Sequence, residues 1–242
     1  MKGQWNIPNI LTALRVISVP FFIYFILSPN ITYRIIAFAL FALASITDLI
    51  DGYLARKWNQ ETEFGKFMDP LADKALVLGA FITFLFLSDQ VQGWMVLCIV
   101  GRDMLITALR YLAIHRGKSL RTSMFGKIKT TFQMFSIGVI LLSFLMVSYK
   151  ERGAINAMYS QARDEGIGPI HVAQANLQEF LAGNVESVLY GLSSFVPYYL
   201  MLFTTIFTII SGIRYFVTNF RLFLPDRKKR RVATDTATEN SE

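Results

Sequence analysis

Residues 48–73 read DLIDGYLARKWNQETEFGKFMDPLAD, and this stretch decides the fold. Asp48 and Asp51 are three residues apart, and Asp69 and Asp73 are four apart. On a helix either spacing projects both carboxylates from one face. A short connection between two such helices brings the four together. Each ionised aspartate set against hydrocarbon costs roughly 2.5–3.5 kcal/mol on insertion scales, and like charges repel as well. Divalent cations offset both costs. Hard carboxylate oxygens suit Mg²⁺, Mn²⁺ or Ca²⁺, whereas softer metals call for thiolates or clustered imidazoles. One cysteine, Cys98, and two distant histidines, His115 and His171, leave a zinc site or a disulfide without ligands.

The surrounding composition explains why the carboxylates need such compensation. The chain has 242 residues, 53% of them hydrophobic, with 21 Phe and a mean hydropathy of +0.42. Hydrophobic runs near 8–28, 33–56, 67–88, 92–115, 124–148 and 193–220 are each long enough to cross roughly 30 Å of hydrocarbon. The predicted fold is an all-α integral membrane protein with six transmembrane helices and a polar cleft at the cytoplasmic side. Arg15 and Pro20 interrupt the first run and no small-residue cleavage site follows, so it reads as a retained helix rather than a signal peptide. Lys2, Arg56, Lys57, Lys66, Arg116, Lys118, Arg121, Lys127, Lys129 and the run Arg227 to Arg231 fall on one side. Arg34, Lys150, Arg152 and Arg163 fall on the other. The basic side is cytoplasmic, and with it both termini and the aspartates. The formal net charge of +7 then reads as attraction to anionic membrane lipids, not nucleic acid.

Residues 1–224 form one membrane domain, interrupted by a long external insertion at 150–192. That insertion has a polar half around Ser160 to Gly168 and an amphipathic half from Ile170 to Leu181, which predicts a short helix lying on the membrane surface. The tail at 225–242 turns basic and then rich in Thr, Glu and Asn, a composition that predicts disorder.

Further polar residues recur at helical spacing. Asn9, Thr12 and Arg15 line one face at the start of the first run, where Asn6 and Pro8 suit a helix entry. That face suits a phosphate or nucleotide; the alternative is that Asn6 caps the helix while Arg15 snorkels to the headgroups. Arg102 and Asp103 either neutralise one another or belong with Arg110, Lys127 and Lys129 to a cationic cluster suited to a dianionic phosphate monoester. Thr130 and Gln133 continue that polar opening of the fifth run. Gly52, Ala55 and Gly65 leave room beside the carboxylates for a ligand to approach the backbone. Their other reading is close helix packing by small residues.

The complete pattern, Asp48, Asp51, Gly52, Ala55, Arg56, Gly65, Asp69 and Asp73, resembles the signature of the CDP-alcohol phosphatidyltransferases, six-helix membrane enzymes. Within that family the stretches NIPNILTALRVISVP (6–20), GRDMLITALR (101–110) and GKIKTTFQ (126–133) look like the bacterial phosphatidylglycerophosphate synthases. The resemblance covers most of the first 140 residues, and the 150–192 stretch is longer than that subgroup's pattern. It implies transfer of the phosphatidyl group from CDP-diacylglycerol to sn-glycerol 3-phosphate with release of CMP. It further implies two divalent cations, Mg²⁺ or Mn²⁺, on Asp48, Asp51, Asp69 and Asp73, with Asp73 as general base. Asn9, Thr12, Arg15, Asp48, Gly52, Ala55, Arg56 and Gly65 would hold the cytidine diphosphate. Arg102, Arg110, Lys127 and Lys129, with Arg116 and Arg121 in support, would hold the acceptor phosphate. A bacterial inner-membrane location and a homodimer are implied as well, with the Phe-rich third and fourth runs offering a contact surface.

Two other readings use the same residues. The cations select a charged acceptor without choosing glycerol phosphate over inositol phosphate, and serine belongs to the same chemistry. A divalent-cation transporter would also line a path with intramembrane aspartates, but Arg56 among them would repel the permeating ion.

Overall fold

A computed structural model describes residues 7–57, 63–115 and 124–223, and every element among them is a helix. The order is α1 (Ile7–Leu27), α2 (Ile31–Lys57), α3 (Glu63–Leu87), α4 (Gly93–His115), α5 (Met124–Met146), α6 (Tyr149–Asp164), α7 (Pro169–Leu181) and α8 (Val188–Phe223). The first five hydrophobic runs coincide with α1 to α5 to within a few residues, and the sixth lies inside α8. Among the described residues three stretches are long and apolar enough to cross a membrane: Ile10–Leu27, Ile128–Met146 and Val188–Asn219. Shorter apolar runs occupy Ile31–Thr47 and Lys74–Leu87. The chain is therefore an all-α membrane protein. Its outward side chains agree, since Phe86, Leu97 and Val217 are 77%, 73% and 69% exposed, a surface suited to lipid and hazardous in water.

Local sequence sets the helix ends. Pro8 occupies the first turn of α1, where its missing N–H goes unused, and Asn30 caps α2 by accepting the Thr32 amide at 2.9 Å. α1 packs against both α2 and α3, while α8 packs against α4, α5 and α7. The centre is aromatic: Phe22 meets Phe41 at 6.2 Å, and Phe84 meets Phe144 edge-on at 5.5 Å.

The insertion differs from its sequence reading. Two helices form there, not one: α7 covers the amphipathic half as expected, and α6 takes up much of the polar half. Ser148 and Glu151 build a capping box at the start of α6. Arg152, Ile155, Tyr159 and Ala162 then recur at helical spacing as its buried side. Gly166, at φ 75°, closes the helix in the left-handed region, with the Ile167 amide reaching back to the Ala162 carbonyl at 2.7 Å.

A proline in α8 decides how this pair docks. Pro197 has no N–H to give the Ser193 carbonyl four residues earlier. Gln90, in the α3–α4 turn, supplies the missing donor, its Nε2 lying 2.9 Å from Ser193 O and 3.0 Å from Ser194 O. Tyr159 of α6 and Asn176 of α7 also donate to Ser194 O, at 2.8 and 3.2 Å. Asn156 holds the end of α3 by donating to the Leu87 carbonyl at 3.0 Å while accepting the Asp89 amide at 3.3 Å. Arg163 pairs with Asp89 beside it.

Candidate active site

The two aspartate pairs lie on helices that share a neighbour. Asp48 and Asp51 fall in the second half of α2, Asp69 and Asp73 in the first half of α3, and α1 packs against both helices. Residues 58–62 connect them, so Asp51 and Asp69 stand at matching distances from the connection, about 10 Å along each helix. The buried stripe of α2 runs Arg34, Ala37, Phe41, Ala44; its alternation of three and four residues, continued, passes through positions 48, 51 and 55. On α3 the buried series Ala72, Leu76, Ala80, Thr83 continues backwards through 69 and 65. The side chains of Asp48, Asp51, Ala55, Arg56, Asp69 and Asp73, like those of Asn9, Arg110 and Lys127, lie outside the described set, as do Gly52 and Gly65 for their surroundings and Arg116 and Arg121 altogether.

α1 presents a buried face of changing character. Thr12 and Arg15 are 1% and 3% exposed, and about two and three turns beyond Arg15 Phe22 and Ile26 are fully enclosed. Arg15 is inside the protein, which corrects the alternative in which it snorkels to the headgroups. A guanidinium is costly to bury, and this one belongs to the helix that packs against both motif helices.

The cationic cluster is only partly what its sequence suggested. Arg102 does pair with Asp103, Nη1 to Oδ1 at 2.9 Å, and Lys129 joins them, its ammonium 2.7 Å from both Asp103 oxygens. Lys129 is 3% exposed and Asp103 23%, so a buried cation from α5 and a half-buried one from α4 share one carboxylate. Arg102 also donates from Nη2 to Ser211 of α8 at 2.7 Å. Its stem passes Gly212, where a Cβ would stand 3.1 Å from Arg102 Cγ. One turn along α4, Thr107 accepts a hydrogen bond from Lys74 of α3 and donates to the Asp103 carbonyl at 2.8 Å. Gln133 and Ser136 extend the seam as buried residues of α5, and Thr204 of α8 reaches Ser136 at 2.9 Å. Thr130 is exposed and bonds back to the Gly126 carbonyl at 3.0 Å.

Lys74, Thr107 and Ser211 were missed by the sequence reading. Lys74 stands directly after Asp73 and carried a signal in its position. Ser211 carried none, because 109 residues separate it from Arg102 and only the packing of α4 on α8 joins them. Beside Arg102 a groove of about 380 Å³ opens between α4 and α8, lined by Leu105, Ile106, Leu109, Ile209 and Ile213. Its apolar lining distinguishes it from the polar cleft expected of the aspartate motif.

Comparison with known proteins gives the arrangement its relatives. The profile of the CDP-alcohol phosphatidyltransferase family matches residues 5–160. The chain is 40% identical over 144 residues to a Salmonella typhimurium protein named CDP-diacylglycerol–glycerol-3-phosphate 3-phosphatidyltransferase, covering 57% of this chain and 78% of that one. An Escherichia coli K12 protein of the same name is 41% identical over the same shares. With the motif complete on α2 and α3, and more than half its length matched, the chain belongs to the CDP-alcohol phosphatidyltransferase family.

Proposed function

We propose that this protein transfers the phosphatidyl group of CDP-diacylglycerol to sn-glycerol 3-phosphate and releases CMP. The observation that carries the reading is the complete motif from Asp48 to Asp73, set on two helices that both pack against α1, in a chain whose relatives bear that enzyme's name.

Each residue then has a task. Asp48, Asp51, Asp69 and Asp73 are an all-oxygen donor set at helical spacing, which fits two divalent cations, Mg²⁺ or Mn²⁺. Such ions, when bound, neutralise the diphosphate and the charge gathering on the leaving CMP. Asp73 takes the proton from the C1 hydroxyl of glycerol 3-phosphate as that oxygen forms its bond to the phosphatidyl phosphorus and the bond to CMP breaks. Arg56 and Arg15 face the diphosphate oxygens, with Asn9 and Thr12 on the same helix face as Arg15. Gly52, Ala55 and Gly65 leave the space the nucleotide fills. Arg102, Arg110, Lys127 and Lys129 receive the phosphate of the acceptor.

Topology follows from the substrates. The nucleotide and the acceptor arrive from water while the diacylglycerol stays in lipid, so the site opens to the cytoplasm and sideways to the bilayer. α1 to α5 and α8 make six crossings of the bacterial inner membrane, with both termini cytoplasmic and the α6–α7 pair on the far side; the tail from 225 lies outside the described residues. A second copy of the chain is the expected partner, joined through α3 and α4, whose Phe86 and Leu97 point outward.

The test is CMP release by the purified protein in detergent with Mg²⁺ and CDP-diacylglycerol, comparing glycerol 3-phosphate, inositol 1-phosphate, serine and no acceptor. Release dependent on glycerol 3-phosphate is expected. Release with another acceptor would keep the mechanism and change the substrate, and none with any acceptor would return the aspartates to an ion path.

A further inference from the structure

Asp103 is the acid on which Arg102 of its own helix and Lys129 of α5 converge. Simple neutralisation would need one cation for one carboxylate. Here two cations share it, and neither has another acid among the described residues. A surplus positive charge around a buried ammonium in a membrane bundle is costly, and it persists where an anion is due to arrive. The pose is also pinned: Lys129 engages both carboxylate oxygens, while Arg102 is fixed by Ser211 and by its stem against Gly212. One turn from Asp103, Thr107 receives Lys74, the neighbour in sequence of Asp73. The cluster is thereby tied to the motif helix at the end of the motif.

We propose that Asp103 is a positioning residue for the acceptor: it holds Lys129 and Arg102 where they meet the acceptor's phosphate, and its backbone turn fixes that pair relative to Asp73. This rests on the reading of those two cations as phosphate-binding. Removing the carboxylate leaves Lys129 buried without its partner, so the ammonium swings away or sheds its proton, and phosphate binding weakens. Were Asp103 a competitor of the phosphate, its removal would tighten binding instead.

The experiment is steady-state CMP release by Asp103→Asn, Asp103→Glu and Ser211→Ala, titrating each substrate separately. Asp103→Asn is expected to raise KM for glycerol 3-phosphate about 10- to 100-fold, the scale of a lost charge-assisted bond, with KM for CDP-diacylglycerol nearly unchanged. Asp103→Glu, which keeps the charge, restores part of the loss. Ser211→Ala removes only a neutral partner of Arg102, leaves no unpaired buried charge, and shifts the same KM by a few-fold; it serves if Asp103→Asn does not fold. An unchanged or lowered KM for glycerol 3-phosphate, or equal rises for both substrates, overturns the proposal. Failure of the unaltered protein to release CMP with glycerol 3-phosphate would instead overturn the proposed function on which it rests.

Discussion

A carboxylate in a membrane helix does different work as a ligand and as a base, and Asp73 can be asked which it does. Asp73→Asn keeps the size of the side chain and an acceptor oxygen while removing the basic site. Turnover is expected to fall roughly 10²–10⁴-fold with CDP-diacylglycerol binding largely intact; turnover near the unaltered value would deny it the proton. Outside the membrane, hydrogen bonds from the Ser148 hydroxyl and amide hold the Glu151 carboxyl below its usual range. A depressed carboxylate gives stability that is present above the ordinary carboxylate pKa and is lost as pH falls through the folded value. The cap on α6 therefore weakens on acidification. Glu151→Gln should remove that part of the pH dependence of the melting curve, and Ser148→Ala should lower stability at neutral pH by about 1 kcal/mol. An acid limb identical in Glu151→Gln would show that this cap does not contribute to it.

Among the elements, α6 and α7 are fastened to the bundle by groups that cannot be spared separately. The carbonyl of Ser193, left without its helical donor by Pro197, and that of Ser194 beside it receive Gln90, Tyr159 and Asn176 from three different parts of the chain. Tyr159→Phe removes one of these donors and is expected to cost about 1 kcal/mol, read as a lower melting temperature in detergent. Gly191 offers a sharper test of the α7–α8 contact. A Cβ there would lie 2.6 Å from Phe180 Cδ2 and 3.3 Å from Val185 Cγ1. Gly191→Ala must push the ring outward and should destabilise the pair by about 1–3 kcal/mol. A melting temperature unchanged from the parent would mean that α7 yields freely, and that the insertion is looser than its buried Ala173 and Asn176 suggest.

At the scale of the molecule, the proposed chemistry and the membrane fold meet in one requirement: the four carboxylates of the proposed site would need cations to be stable so near hydrocarbon. Chelation with EDTA should reduce CMP release to background, and adding Mg²⁺ or Mn²⁺ should restore it. Release indifferent to the chelator would detach the aspartates from metal. The polar seam gathers helices as well, because Lys74, Thr107, Asp103, Lys129, Arg102 and Ser211 bring α3, α4, α5 and α8 to one place. Helices in lipid gain little from burying apolar surface against each other, so hydrogen-bonded polar residues and small residues such as Gly212 carry much of their register.

The sequence by itself determined the helical membrane class, the approximate ends of α1 to α5 and the family, because the length of an apolar run is local to the chain and the spacing of Asp48, Asp51, Asp69 and Asp73 is local to two helices. It also held the start of α6 in Ser148 and Glu151, a signal that the polar composition around Ser160 concealed. Only the tertiary structure decided which partners the buried cations take. Arg15 lies inside the protein instead of at the headgroups, Lys129 shares Asp103 with Arg102, and Ser211 reaches Arg102 from α8. Those outcomes depend on which helices pack together across long separations in the chain, and no periodicity within one helix encodes the identity of its neighbour.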